Sequence, residues 1–321
     1  MQGFFAIVRS DYFLYLPGGP PMRRLKYISL ISGICLFFLV IVIYADLGFS
    51  QSGEVIEQIG TNGKVNWSAG TVEATGIGAP PEQYNAKSQA AVMALRHAKM
   101  EAYRNLFETS KGIRVDSATE VKDFAITSDT IRARIEELVK AAQVTRRDFM
   151  SDGTVEVTMR MSIKGDFAQV IIPIPKIPKS DSGTMATSIV PMVSKPTVSQ
   201  MEPAKPAINS YTGIIVDARG LQAQPAMVPR IVDENEMDIY GPMLVERDYA
   251  VQLGMSGYTR DPGSAQMNPR VTNNPITVKG LRAAGPNRSN IVISDTDAEK
   301  LKAAAENMNC MKKARVVVVL D

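Results

Sequence analysis

The 321 residues hold a single histidine, His97. A histidine base or metal ligand needs a second group to orient it, and none lies near it in sequence. It falls between Met93 and Met100 on the flank of an apolar stripe, which reads as a structural or surface position. The two cysteines, Cys35 and Cys310, form no disulfide framework. One histidine and one cysteine beyond residue 50 cannot assemble a Cys/His zinc site. Cys310 reads as a small buried hydrophobe. Asp217, Asp233, Glu234 and Glu236 are the carboxylates from which a hydrolase would draw an acid pair, but they stand in no catalytic motif. Asp295, Asp297 and Glu299 alternate like metal ligands. They lack the glycine and closing glutamate of a calcium loop, so helix capping is the expectation. Gly76-Ile-Gly78 lacks the third glycine of a dinucleotide fingerprint and reads as a strand ending in a turn. No serine sits in a nucleophile elbow. Arg146-Arg147 and Lys312-Lys313 read as solvated surface. Trp67 and Tyr84 suit a sugar or partner surface, though core packing is commoner for such side chains. The sequence thus predicts no catalytic, cofactor-binding or metal-ligating residue, no cofactor and no enzyme.

The elements that would position these side chains are clearest between Trp67 and Gly165. Lys64 to Gly78 alternates well enough for one or two strands, after a short lead-in from Gln51 to Gly63. Pro80-Pro81 ends extended pairing and leads into a helix from Tyr84. Ala91, Leu95, Ala98, Ala102 and Leu106 form its stripe, and the small alanines imply close approach to a sheet. Gly112 ends it. Ile113–Val115 and Glu120–Phe124 are short strand candidates. Ser128 caps a second helix, with Ile131, Ile135, Leu138, Val139 and Ala142 on one face and Glu136 paired with Lys140. Val144–Met150 and Thr154–Ile163 read as a hairpin around Asp152-Gly153.

Residues 173–210 hold seven prolines and no hydrophobic period, the composition of a tether between separate bodies. Beyond it, Thr212–Ala218 is a short strand, and residues 219–286 promise loops and short strands. Asn290–Ser294 is apolar, and Thr296 and Glu299 stand at capping-box spacing. Leu301, Ala304, Ala305 and Met308 line a helix. Arg315–Leu320 is an apolar run typical of a strand covered on both faces. This closing strand-helix-strand pattern fits a parallel crossover. The fold class expected is α/β in the α+β sense: a small sheet packed by two helices over 51–172, a linker, and a second α/β body over 211–321.

The formal net charge is +3, of which only +1 lies beyond residue 50, so no basic excess argues for nucleic acid. Three positive charges in Met22-Arg-Arg-Leu-Lys26 precede an apolar core from Tyr27 to Ala45, the layout of a secretory signal over 22–50. Small residues around Gly48 and Ser50 suit a cut before Gln51, and Tyr44-Ala45 offers another. An uncleaved inner-membrane anchor is the alternative, since the core nears the ~20 residues that span a bilayer. Residues 1–21 read as an upstream extension. Ile34 before Cys35 argues against lipidation there.

The stretches WSAGTVEATGIG (67–78), AAVMALRHAKMEAYRNLFE (90–108) and KGIRVDSATEV (111–121) carry a likeness. Over residues 66–165 the chain resembles the bacterial envelope lipoprotein family of about 20 kDa, which includes flagellar outer-membrane-associated proteins; a fold likeness does not itself fix a function. The resemblance implies a small α/β module in the cell envelope with a structural or scaffolding role. The expectation is therefore an exported, non-enzymatic protein of the periplasm or outer-membrane periphery, acting in assembly and possessing self or other envelope proteins, the outer membrane or peptidoglycan as partners. A glycan- or peptide-binding module using the loops of 219–286 is the first alternative, and a hydrolase the second.

Overall fold

The computed structural model describes residues 53–81, 87–172, 211–303 and 305–321. The stretch 22–50 expected to be a secretory signal, Tyr84, the proline-rich stretch 173–210 and the side chains of Ala304, Ala305 and Met308 lie outside the described residues. Among the described residues no helix is long and apolar enough to cross a membrane.

The first sheet is antiparallel, with order β1-β2-β3-β5-β4. Its first strand, β1 (Ile56–Ile59), arises in the segment expected to be a mere lead-in and pairs with β2 (Gly63–Asn66). β3 (Thr71–Gly78) points Val72, Ala74, Gly76 and Gly78 inward. The helix α1 (Lys87–Lys111) lies across this face. Its fully buried row is Ala94, Ala98, Ala102 and Leu106, while Ala91 and Leu95 flank it half-buried. The stripe thus follows the i, i+4 ridge, a phase that alternating small residues left open. Gly76 and Gly78 make the contact possible. A Cβ on Gly76 would sit 2.1 Å from the Ala102 amide nitrogen, and one on Gly78 2.0 Å from the Ala94 carbonyl oxygen. The glycine pair does end the strand β3, as expected, and it is also a close-approach device.

After α1 the chain makes a tight turn in which Arg114 bridges Glu120. Glu120–Phe124, expected as a strand, instead opens the helix α2 (Val121–Thr127). The Asp123 carboxylate accepts from the Glu120 amide at 2.8 Å, a cap that fixes a helix where alternation suggested a strand. α3 (Asp129–Lys140) starts at Ser128, whose hydroxyl accepts from the Ile131 amide, and buries Ile135 and Val139. Glu136 pairs with Arg132 rather than with Lys140. β4 (Gln143–Phe149) and β5 (Val155–Ser162) form the expected hairpin, with Val155, Val157, Met159 and Met161 buried. A short helix, α4 (Asp166–Ile171), follows.

The second sheet is built from β6 (Gly213–Asp217), β7 (Ile231–Val232), β8 (Asp238–Tyr240), β9 (Gly257–Thr259), β10 (Pro275–Ala284), β11 (Asn290–Ile293) and β12 (Val316–Val319). Interspersed are α5 (Arg247–Leu253), α6 (Pro262–Gln266), α7 (Asp295–Lys302) and α8 (Ala305–Lys312). The strand order is β8-β7-β11-β10-β6-β12-β9. β10, β6, β12 and β9 run parallel, whereas β11 is antiparallel to β10. β11 and β12 therefore point in opposite directions, with β10 and β6 between them. The closing segment is not a parallel crossover. All four valines of β12 are buried: Val316 and Val318 face the main core, and Val317 and Val319 join Ile215, Ala265 and Val271 behind the sheet. The Ser294 hydroxyl caps α7 by accepting from the Asp297 amide at 3.1 Å, in place of a Thr296–Glu299 box.

The fold is thus α+β with two sheets. The segments on either side of 173–210, expected as separate bodies, pack together: Gly53–Asp321 is one compact unit with one main apolar cluster drawn from both sheets. The Met227 amide donates to the Arg114 carbonyl at 3.0 Å, and the Val228 amide to the Val115 carbonyl at 2.7 Å. The Asn287 amide donates to the Ser117 carbonyl at 2.8 Å. A protease site engineered into 173–210 and cut should leave two fragments that co-elute at the uncut mass and part only in denaturant. Separation in native buffer would show that these contacts do not hold the halves.

Candidate functional site at the seam of the two sheets

The residues singled out in sequence do not converge. His97 is exposed on α1 and makes no side-chain hydrogen bond among the described residues. His97→Ala should leave the urea unfolding midpoint unchanged, within the roughly 0.5 kcal/mol usual for surface changes. Asp217 ends β6, held by a two-point pair with Arg219 at 2.8 and 2.7 Å; that hydrogen bonding holds its carboxyl below the usual range. Asp233 follows β7, which runs opposite to β6, so the two acids lie at opposite ends of the sheet. Asp233 accepts from the Asn235 and Met237 amides at 3.1 and 2.8 Å. Glu234 and Asp295 exchange backbone-to-carboxylate bonds at 3.1 and 3.3 Å. Glu236 pairs with Arg282. Asp297 pairs with Lys300 and lies in the first turn of α7. These carboxylates tie loops together. Cys310 is buried, and burial pushes its thiol pKa up, away from the reactive thiolate.

The side chains that do converge come from both sheets. Trp67 is buried, edge-on to Tyr258 with centroids 6.0 Å apart, and its indole donates to Glu57 at 2.9 Å. Arg114 forks onto both Glu57 oxygens, one at 2.7 Å, and donates from Nε to the Pro225 carbonyl at 2.9 Å. Its guanidinium also lies over the Trp67 ring at 5.8 Å. The Ser68 hydroxyl donates to the Tyr258 carbonyl at 2.7 Å, and the Tyr258 hydroxyl to the Ala226 carbonyl at 2.7 Å. A single charged residue between the fully buried Ile113 and Val115 was the one sequence sign that Arg114 spans this seam.

Beside this cluster a half-open crevice enters the seam, lined by Trp67, Ile163, Lys164, Met227, Ser256 and Tyr258 among others. Its inner space of about 30 Å³ admits one or two waters. Lys164 projects from the turn after β5. Its stem passes over Gly70, where a Cβ would lie 2.2 Å from Lys164 Cε, and Nζ donates to the Ala69 carbonyl at 3.1 Å. Gly165 next to it donates its amide to the Val251 carbonyl of α5 at 2.8 Å. Arg270 lies behind, donating to the Gly254 and Ala314 carbonyls at 2.9 and 2.8 Å and to the Leu253 carbonyl. It thereby satisfies the C-terminal end of α5, where a cation is favoured. Burial lowers the pKa of both Lys164 and Arg270, and for Lys164 the Arg270 charge adds to the effect. Among the described residues neither cation forms an ion pair with a carboxylate. Ser256 is 8% exposed, and its hydroxyl has no partner of sound hydrogen-bond geometry. It is close enough to the Tyr258 phenol to temper the rise that burial imposes on that group. None of Lys164, Ser256 and Arg270 stands in a sequence motif, and the fold alone assembles them.

Residues 213–321 match a family model described as the second domain of Treponema pallidum Tp0624. The match begins at the first residue of β6 and covers the second sheet with its helices, and it includes no residue of the first sheet. No curated protein matches the chain.

Proposed function

We propose that this is an exported, non-enzymatic protein of the cell envelope with an assembly role, and that it holds a partner at the seam of its two sheets. The observation that carries the reading is the crevice, whose lining brings the Lys164 ammonium and the unpartnered Ser256 hydroxyl together with no acidic side chain among the described residues that line it. Concave sites between packed units are where ligands are commonly held. The sequence of 22–50 and the resemblance over 66–165 support the envelope location, and the partner belongs to the peptides, glycans or proteins found there. Loops 225–228 and 254–256, which border the crevice, fall in the stretch 219–286 expected to carry a binding surface.

The test places a photo-crosslinking side chain at Leu253, an exposed position beside the crevice, and at the exposed Ile126 of α2 as a control. Cells are fractionated and irradiated. The expected result is recovery with the envelope and a crosslinked product specific to position 253. Cytoplasmic recovery, or equal products at both positions, overturns the reading.

A second reading, self-assembly through the outer strand β4, has one observation in its favour. Among the described residues β4 pairs only with β5, and it ends in the exposed Phe149, followed by the exposed Met150; an open edge invites pairing. A mass above the monomer that Phe149→Glu reduces would favour it.

A further inference from the structure

Resting on the seam as the binding site, we propose that the crevice receives a single carboxylate group, held by the Lys164 ammonium and the Ser256 hydroxyl. The polar side chains lining it are Trp67, Lys164, Ser256 and Tyr258. The Trp67 indole is taken by Glu57, and the Tyr258 hydroxyl by Ala226. Lys164 spends one of its three donors, on Ala69, and Ser256 spends none. The unspent groups are therefore donors, and none of the lining residues is an acid. Arg270 adds positive charge from behind without offering a free fork, because its nitrogens reach three carbonyls. A half-buried cation without a counter-ion is disfavoured by its partial desolvation, and an entering anion offsets that cost.

Donor number narrows the anion. Two donor groups suit the two oxygens of a carboxylate, whereas a phosphate would leave oxygens unpartnered in apolar surroundings. The apolar walls of Ile163, Met227 and the Trp67 ring suit a short aliphatic body behind the group. That body comes either from a free small acid or from the end of a peptide chain.

The experiment titrates the purified chain with acetate, N-acetylalanine, N-acetylalanine amide and inorganic phosphate, following amide NMR shifts at Lys164, Gly254 and Ser256. Saturable shifts with acetate and N-acetylalanine, and none with the amide, are expected. N-acetylalanine binding at least as tightly as acetate assigns the carboxylate to a peptide end, and the reverse order to a free acid. Lys164→Met should weaken binding about ten-fold or more, as loss of a charge-assisted bond predicts, and Ser256→Ala several-fold. Lys164→Met should also keep or raise the unfolding midpoint, because a desolvated charge is removed. A purely structural lysine stapling the Ala69 carbonyl would lose stability on this change and leave no titration to lose. Absence of saturable shifts, or equal binding by Lys164→Met, overturns the proposal. Phosphate binding more tightly than acetate overturns the carboxylate assignment. Crosslinking at Leu253 is independent of these titrations, so its success alongside their failure would reject the carboxylate and leave the seam as the site.

Discussion

Gly76→Ala destabilises the protein by about 3 kcal/mol or more, at the upper end of what overpacking a core costs, and the double change Gly76→Ala/Gly78→Ala leaves α1 undocked. The added methyls would meet backbone atoms of α1 at 2.1 and 2.0 Å. Backbone cannot rotate aside as a side chain can, so helix and strand must part. Parting uncovers Ala94, Ala98, Ala102 and Leu106 together with Val72 and Ala74, and the loss spreads along the row. Urea unfolding at constant slope reads the change. Gly241→Ala serves as the comparison, since its nearest neighbour would be 3.6 Å away, and it should cost less than roughly 0.5 kcal/mol. Equal midpoints for the two alanine variants would mean that α1 does not rest on the glycines.

Arg114→Ala should cost roughly 3 kcal/mol, the lower end of what breaking a buried pair costs. The side chains of Arg114 and Glu57 are only 14% and 26% exposed. Removing the guanidinium strands a carboxylate and the Pro225 carbonyl, and strips the Trp67 face. Arg114→Lys should recover little, because an ammonium cannot fork onto both Glu57 oxygens and reach Pro225 as well. Arg114→Ala/Glu57→Ala should cost less than the two single changes added together, since the stranded charge is gone. In the chain cut within 173–210, Arg114→Ala should let the two fragments separate. A midpoint within 0.5 kcal/mol of the parent would remove Arg114 from the account of the seam.

Local signals were legible in the sequence. The strand alternation of Val155 to Met161, the Ser128 cap and the unbroken valines of 316–319 each depend on neighbours a few residues away, and each lies where its pattern put it. Features resting on distant partners were not legible. β7 has two residues and β9 three, too few to show a period, and both exist because β11 and β12 offer them an edge. β10 is ten residues long but begins with Pro275 and shifts register at Gly280. Those are features of a strand start and a bulge that read as loop punctuation. The seam is the extreme case. Ser68 and Tyr258 are 190 residues apart, and the crevice takes Lys164 from one sheet's end and Ser256 from the other's. Trp67 was legible as a core candidate from its type alone, but its pairing with Glu57 and Arg114 was not.

The place of β12 sets an order on how the chain can become native. Residues 316–319 lie between β6 and the edge strand β9 of the second sheet, yet they come about a hundred positions after β6. During synthesis β6 and β9 emerge with their inner edges bare and stay so until the valine strand arrives. Among the described residues β9 has no other strand partner. The second sheet is therefore slow by topology, since long-range pairing must wait on loop closure. The bare edge of β6, with its buried Ile214, Ile215 and Val216, is exposed to wrong partners meanwhile. The first sheet depends on none of these late residues for its own strand pairing. A chain stopped before Val316 would thus carry a formed antiparallel sheet beside sticky, unzipped strands, a species for chaperones and proteases to sort.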